Sequence, residues 1–292
     1  MTLPGRRGAV GRLLEGARFE IVPTDGVEVE LRHLPPGATV TVTCSPRKGL
    51  EATLALAERV AGRGFRAVPH VAARLVTGRA HLEAILRRVS GAGFRELFVV
   101  GGDAPEPMGP YASAGELLRE MADAGHDLEA IGIGAYPERH PLIGDDDLLA
   151  ALREKQAFAT HMVTQICFDP ATVVRWLDGV RAAGVTLPVY VGVPGAVNRR
   201  RLLEISLRVG IGDSLRYLTK HGSIVARLLR GGSWRPDAFL AGLAPLVADR
   251  DDVLGLHLNT FNQLESTERW RRQALAAYGY ATPTPGREDA AS

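Results

Sequence analysis

Residues 66–103, RAVPHVAARLVTGRAHLEAILRRVSGAGFRELFVVGGD, contain one complete strand–helix–strand unit. The runs Arg66–His70 and Glu96–Val100 are dominated by valine, leucine and phenylalanine without clean polar–apolar alternation. That pattern predicts parallel strands covered on both faces rather than a sheet with one wet side. Between them, AHLEAILRRVSGAG spaces its apolar residues along one helical face and ends in glycine, which closes a helix in the left-handed conformation. The same unit recurs on either side. Further strands are predicted at Phe19–Val22, Thr39–Cys44, Ala130–Ala135, Met162–Phe168, Pro188–Val193 and Val253–Leu258. GLEATLALAERVAGRG and PATVVRWLDGVRAAG are predicted as helices, and both end in glycine.

Eight strands alternating with helices predict an α/β fold, a (β/α)₈ TIM barrel, with an open doubly wound sheet as the alternative. The strands start at intervals of roughly 20 to 35 residues, with no composition break for a second domain. No GxGxxG follows the first strand, which weakens the open-sheet reading. The long gap from Val193 to Val253 predicts extra helices between strands seven and eight, in GDSLRYLTKHGSIVARLLRGG and PDAFLAGLAPLVADR. Residues 1–292 are read as one barrel domain, with its core at about 18–280 and a frayed tail, ATPTPGREDAAS, over the last dozen positions.

Of the 292 residues 46% are hydrophobic and 23% charged, the balance of a globular protein with a sizeable core. The 35 basic and 33 acidic residues are interspersed and leave a formal charge of +2, which argues against a nucleic-acid groove. Arg199, Arg200 and Arg201 read as a solvated helix start, with an anion site as the other reading. Cys44 and Cys167 lie in apolar runs without a CxxC partner. The expectation is therefore two reduced thiols in a cytoplasmic protein, with neither disulfide nor structural metal. MTLPGRRGAVGRLLEGAR is basic but lacks the apolar stretch of a signal peptide. No run reaches the ~18 apolar residues of a membrane-spanning helix.

In a barrel of this kind chemistry gathers where the strands end at their carboxyl side. The polar residues at those ends are Glu20; Thr43 and Ser45; His70; Asp103; Tyr136, Glu138 and His140; Thr164 and Gln165; Asn198; and His257, Asn259 and Asn262. Glu20, between Phe19 and Ile21, is expected to lose hydration, which raises a carboxyl's pKa and suits it to deliver a proton; the other reading is a buried ion pair. Asp103 follows two glycines that let backbone approach a ligand, although Gly-Gly-Asp also makes a tight turn. Gln165 offers a donor and an acceptor, suited to the edge of a heterocycle or to loop backbone. His70 reads more readily as a satisfied strand-end histidine than as a ligand contact.

RFEIVP, AVPHV, FVVGGD with PYAS soon after, GAYPERHP, MVTQICFD, GVPGAVN and LHLNTFN occur in this order. Together they resemble the motif series of the methylenetetrahydrofolate reductase family over about residues 18–262, most specifically in GAYPERHP and MVTQICFD. The resemblance implies reduction of 5,10-methylenetetrahydrofolate by NAD(P)H, ordinarily through FAD. It implies Glu20 as the general acid, Asp103 as the carboxylate that stabilises an iminium, and Gln165 with Asn198 as folate-binding residues. It further implies Thr43, His70, Tyr111, Ala112, Ser113, Tyr136, His140 and Arg153 as cofactor contacts. The implied partners are a folate and a nicotinamide nucleotide, with no nucleic acid and no membrane; a homo-oligomer stays open.

Several positions depart from the family pattern. Gly101 stands where an arginine is usual and Glu154 where a lysine is usual, with Lys155 one step out of register. Beside a pyrophosphate, exchanging a cation for a carboxylate turns attraction into repulsion. Cys44 replaces a tyrosine, Phe158-Ala159 replaces a Gly-Ala pair, and Arg199 replaces a folate-stacking phenylalanine. The helix after the first strand shortens to about VEVELRHL. Hydride transfer through FAD and direct transfer without flavin both stay open. So does a non-catalytic folate- or flavin-binding barrel; a folate-linked methyltransferase lacks a visible acceptor site.

Overall fold

The computed structural model describes residues 3–198 and 233–281. Eight parallel strands close into a barrel: β1 (Arg18–Ile21), β2 (Thr39–Val42), β3 (Arg66–Ala72), β4 (Glu96–Val100), β5 (Ala130–Ala135), β6 (His161–Thr164), β7 (Val189–Pro194) and β10 (Val253–Asn259). Neighbours follow chain order, and β1 closes the ring by pairing with β2 on one side and β10 on the other. Between β7 and β10 an antiparallel pair, β8 (Val197–Asn198) and β9 (Ser233–Trp234), brackets the segment outside the described residues. Arg199–Arg201 and GDSLRYLTKHGSIVARLLRGG lie in that segment.

The outer ring comprises α2 (Val27–Glu30), α3 (Gly49–Ala61), α4 (Arg79–Gly91), α5 (Ala114–Ala124), α6 (Asp145–Lys155), α7 (Pro170–Ala182), α8 (Asp237–Leu246) and α9 (Leu264–Ala277). α8 is the expected PDAFLAGLAPLVADR helix. After β1 the expected short helix is a single turn continued by a 3₁₀ turn, Leu31–His33. Residues alternate between two environments along each strand. Phe19 and Ile21, Val40 and Val42, and Leu256 and Leu258 are buried beneath the helices. The residues between them point into the barrel.

The core begins earlier than residue 18. An additional helix, α1 (Leu3–Glu15), lays Val10, Leu13 and Leu14 against β10, α8 and α9 and buries them fully. Arg271 on α9 fastens it by donating to the Leu14 carbonyl at 3.0 Å. The guanidinium is itself held by the buried carboxylate of Glu268 at 2.7 Å.

Inside the barrel, near the amino-terminal ends of the strands, side chains form a polar plug. Arg18 pairs with Glu96, and its guanidinium lies 3.8 Å from the centre of the Tyr190 ring. His161 Nε2 is 3.2 Å from the same carboxylate. Gly132 makes room for this layer, because a Cβ there would come within 2.6 Å of His161 Nε2 and 2.9 Å of the Phe98 ring. With its base filled, the barrel can receive a ligand only at the other end.

Candidate active site

Glu20 stands one inward step above Arg18 on β1, level with Asn259 on β10 and Thr41 on β2. Its carboxylate Oε2 is 3.0 Å from His257 Nε2 and 3.9 Å from His70 Nε2. Its side chain is 18% exposed, those of His70 and His257 only 7% and 3%. The loop after β10 fixes the backbone here: Thr260 Oγ1 donates to the Glu20 carbonyl at 2.6 Å. Asn262 accepts from Val22 N at 2.8 Å and donates to Val22 O at 3.0 Å and Thr24 Oγ1 at 2.7 Å. LHLNTFN therefore seals the barrel seam beside the acid.

The expectation for the acidity of Glu20 is overturned. Burial pushes the carboxyl up, but the hydrogen bond to His257 and the positive charges of His257 and His70 outweigh it, leaving the group below the ordinary carboxylate range. Burial in turn lowers His70 to about 4. His70 is therefore neutral at neutral pH. His257, named among the strand-end polar residues, was given no role of its own by its motif. Its signal was present in the strand-end alternation, but its partner lies 237 positions away.

Asp103 lies beyond β4, where Gly102 adopts φ 94° and a Cβ would come within 2.9 Å of Ala72. Its charge acts on Cys44 beyond β2 and on Tyr136 and His140 beyond β5, which places it over the mouth. Gln165 follows β6; its Oε1 accepts from Ile166 N at 3.0 Å, leaving the amide NH₂ for a ligand. Thr43 is half-buried at the end of β2, with its backbone N–H on the Ile21 carbonyl at 3.0 Å. Asn198, on β8, donates its backbone N–H to Gln263 Oε1 at 3.0 Å.

The polar residues of GAYPERHP divide the work. Tyr136 and His140 meet edge to face with ring centres 4.9 Å apart. Glu138 accepts from Phe168 N at 2.9 Å and Asp169 N at 3.2 Å, pinning the next strand's loop to this one. Arg139, at φ 70°, turns outward toward Asp145. Tyr111, Ala112 and Ser113 build the start of α5. Tyr111 joins the core, and Ser113 and Glu116 form a reciprocal capping box in which Ala112 N also donates to Glu116.

Arg153 is not part of the ring. It is exposed on α6 and donates to the Ala183 carbonyl at 2.8 Å, beyond the carboxyl end of α7 and so at the opposite end of the barrel. Glu154 pairs with Arg119 at 2.8 Å, and Gly101 has open space where a side chain would stand. Lys155 faces a cleft of about 390 Å³ between α6 and α7 that also takes in Tyr136 and Arg139, where burial lowers it to about 8. Gly101, Arg153 and Glu154 do not fit the phosphates of FAD. A cleft of about 860 Å³ between the carboxyl ends of α4 and α5 lies away from the strand ends that carry Glu20. Among the described residues no cluster of three His, Cys, Asp or Glu is placed to hold a metal, both cysteines are free, and no helix is long and apolar enough to cross a membrane.

The sequence profile of the methylenetetrahydrofolate reductase family matches residues 29–206. The 5,10-methylenetetrahydrofolate reductase of Salmonella typhimurium is 27% identical over 212 residues, which are 69% of this chain and 68% of that protein. The Escherichia coli protein of the same name is 32% identical over 136 residues, 44% of each chain. Methylenetetrahydrofolate reductase 1 of Schizosaccharomyces pombe is 28% identical over 122 residues, 38% of this chain but 20% of that one, so the chain spans only part of its longer relatives. Glu20 and His257 fall outside the profile match, and their pairing is known here from geometry alone.

Proposed function

The chain belongs to the methylenetetrahydrofolate reductase family, and on that premise we propose that it reduces 5,10-methylenetetrahydrofolate to 5-methyltetrahydrofolate with NAD(P)H as hydride source. The observation that carries the reading is the acid set into the barrel mouth: Glu20 beside His257, with Asp103 and Gln165 just past the ends of β4 and β6. Opening the folate's five-membered ring breaks a carbon–nitrogen bond, and the departing nitrogen keeps the electron pair and needs a proton. Glu20 is the group that delivers it. The carbon is left as an iminium cation, which the Asp103 carboxylate stabilises. Hydride then reduces that carbon to a methyl group. The NH₂ of Gln165 orients the pterin edge, and Asn198 borders the side on which the rest of the folate leaves the mouth.

We infer direct hydride transfer from the nicotinamide. The support is the chemistry at the usual flavin positions: Glu154 is committed to Arg119, Gly101 has no side chain, and Arg153 is engaged at the far end of the barrel. Thr43, His70, Tyr136 and His140 would then border the nicotinamide rather than an isoalloxazine. The test is turnover of methylenetetrahydrofolate by purified protein with NADH or NADPH, with and without added FAD, beside Glu20→Gln. The reading expects a colourless, active protein and a Glu20→Gln variant that still binds nucleotide but has lost about 10²–10⁴-fold in kcat. A wild type that binds folate without turning it over favours a non-catalytic folate-binding barrel instead.

A further inference from the structure

We propose that the cleft between α6 and α7 is a binding site for a nucleoside phosphate, with Lys155 holding the phosphate and Trp176 the base. The cleft holds about 390 Å³, within the roughly 300–1,000 Å³ of small-molecule sites. Its walls are the facing sides of the two helices, with Gly134 of β5 between them. Tyr136 and Arg139 border it from the loop after β5, and the Tyr136 ring also meets His140 edge to face. None of Glu20, His70 and His257 lines it. A ligand in the cleft therefore lies beside the mouth without filling the space around Glu20.

The charge in this cleft is unbalanced. Among the described residues three cations line it, Arg139, Lys155 and Arg175, against one carboxylate, Asp145. Arg139 stands 3.5 Å from Asp145 and Arg175 3.7 Å from Asp169. Both guanidiniums are largely exposed, so these pairs are weak and can turn to another anion. Lys155 differs. It is half-buried as the last residue of α6 and makes no hydrogen bond or ion pair among the described residues. Glu154, the carboxylate whose charge acts on it, points round the helix to Arg119 on α5, because one helical step turns a side chain by about 100°. Burial lowers the Lys155 amine to about 8, which leaves it mostly charged at neutral pH. A cation drawn out of water without a partner costs free energy, and an anion brought by a ligand offsets that cost.

The remaining wall decides what the anion is attached to. Leu149, Leu152 and Val180 are apolar, and the half-buried Trp176 carries an indole N–H with no acceptor among the described residues. An indole offers a flat face for stacking and one donor at its edge, which suits a heterocyclic base. Phosphate matches the cations, because it accepts a point charge from lysine and two N–H groups at once from a guanidinium. A bare inorganic anion leaves the apolar part of the cleft uncovered. Two sources supply this chemistry: a free nucleotide, or the ADP half of a nicotinamide nucleotide whose other end passes Tyr136 to the mouth. The second source rests on the proposed hydride transfer; the first does not.

The test is calorimetric titration of the purified full chain with ADP, adenosine and inorganic phosphate. The wild type is expected to bind ADP more tightly than either fragment. Lys155→Met keeps the length of the side chain and removes its charge. It is expected to weaken ADP about tenfold or more, the loss of a charged hydrogen bond, and to leave adenosine within about twofold. Trp176→Leu is expected to weaken ADP and adenosine alike. In wild-type protein ADP should shift the backbone amide signals of Leu149, Lys155 and Gly179, which locates the ligand even if a variant fails to fold. ADP that does not bind, that shifts none of these amides, or that binds Lys155→Met as tightly as wild type overturns the proposal. NADH then identifies the source. Competitive displacement of ADP assigns the cleft to the dinucleotide, and simultaneous binding assigns it to a free nucleotide; either result retains the site. None of these measurements uses folate turnover, so failure at the cleft and failure of the proposed reaction are read separately.

Discussion

In the proposed reaction Gln165 binds the folate and takes no part in the chemistry. Its Oε1 is already used by Ile166 N, so only its NH₂ is available to a pterin. Gln165→Ala is expected to raise the folate KM about tenfold, the loss of one or two net hydrogen bonds, while kcat changes little. An unchanged KM removes the residue from the folate site. At this scale the sequence named most of the ring but misjudged its electrostatics. The motif RFEIVP displays the apolar neighbours of Glu20, and from those alone burial should raise its pKa. The partner that reverses the sign comes from the last strand and becomes adjacent only when the barrel closes. Arg153 stands apart from the mouth, because the helix turns its guanidinium to the Ala183 carbonyl.

Among the elements, the strands were legible because burial on both faces leaves β-branched runs with sharp ends, and β4 and β5 match their predicted limits residue for residue. β6 stops at Thr164 rather than at Phe168, because beyond it the backbone turns into loop contacts: Cys167 N donates to Gly192 O, and Glu138 takes the N–H groups of Phe168 and Asp169. α1 was not legible. Its few apolar residues are set among glycine and arginine, and its burial comes from α8, α9 and β10, which follow more than 200 residues later. The seam between the first and last strands is the element-scale feature with the most direct consequence for the site. Asn262→Ala removes three hydrogen bonds to Val22 and Thr24 and is expected to destabilise the protein by about 2 kcal/mol. Amide exchange should quicken first at Val22 and Thr260, beside Glu20. Unaltered exchange at those amides contradicts the sealing role.

For the whole molecule, the polar plug of Arg18, Glu96 and His161 links β1, β4 and β6 across the barrel interior. Burial would raise the Glu96 carboxyl, but the hydrogen bond from His161 and the Arg18 guanidinium bring it down to about 2. A depressed carboxyl stabilises the fold above its unfolded pKa, and that stability is lost as pH falls through the folded value. Glu96 should therefore contribute about 3 kcal/mol to the fall in stability between pH 5 and pH 2, read by denaturant unfolding. Glu96→Gln should lessen the fall by that amount, and an unchanged slope refutes the assignment. With the plug filling one end, the proposed reaction brings donor and folate together at the opposite mouth. The most direct measurement is therefore single-turnover reduction of methylenetetrahydrofolate by flavin-free protein, with the nicotinamide deuterated on its transferring face. Direct transfer predicts one deuterium in the methyl group of the product at full enrichment. Turnover only after FAD is added, or a methyl group whose deuterium has been diluted by solvent protons, contradicts it.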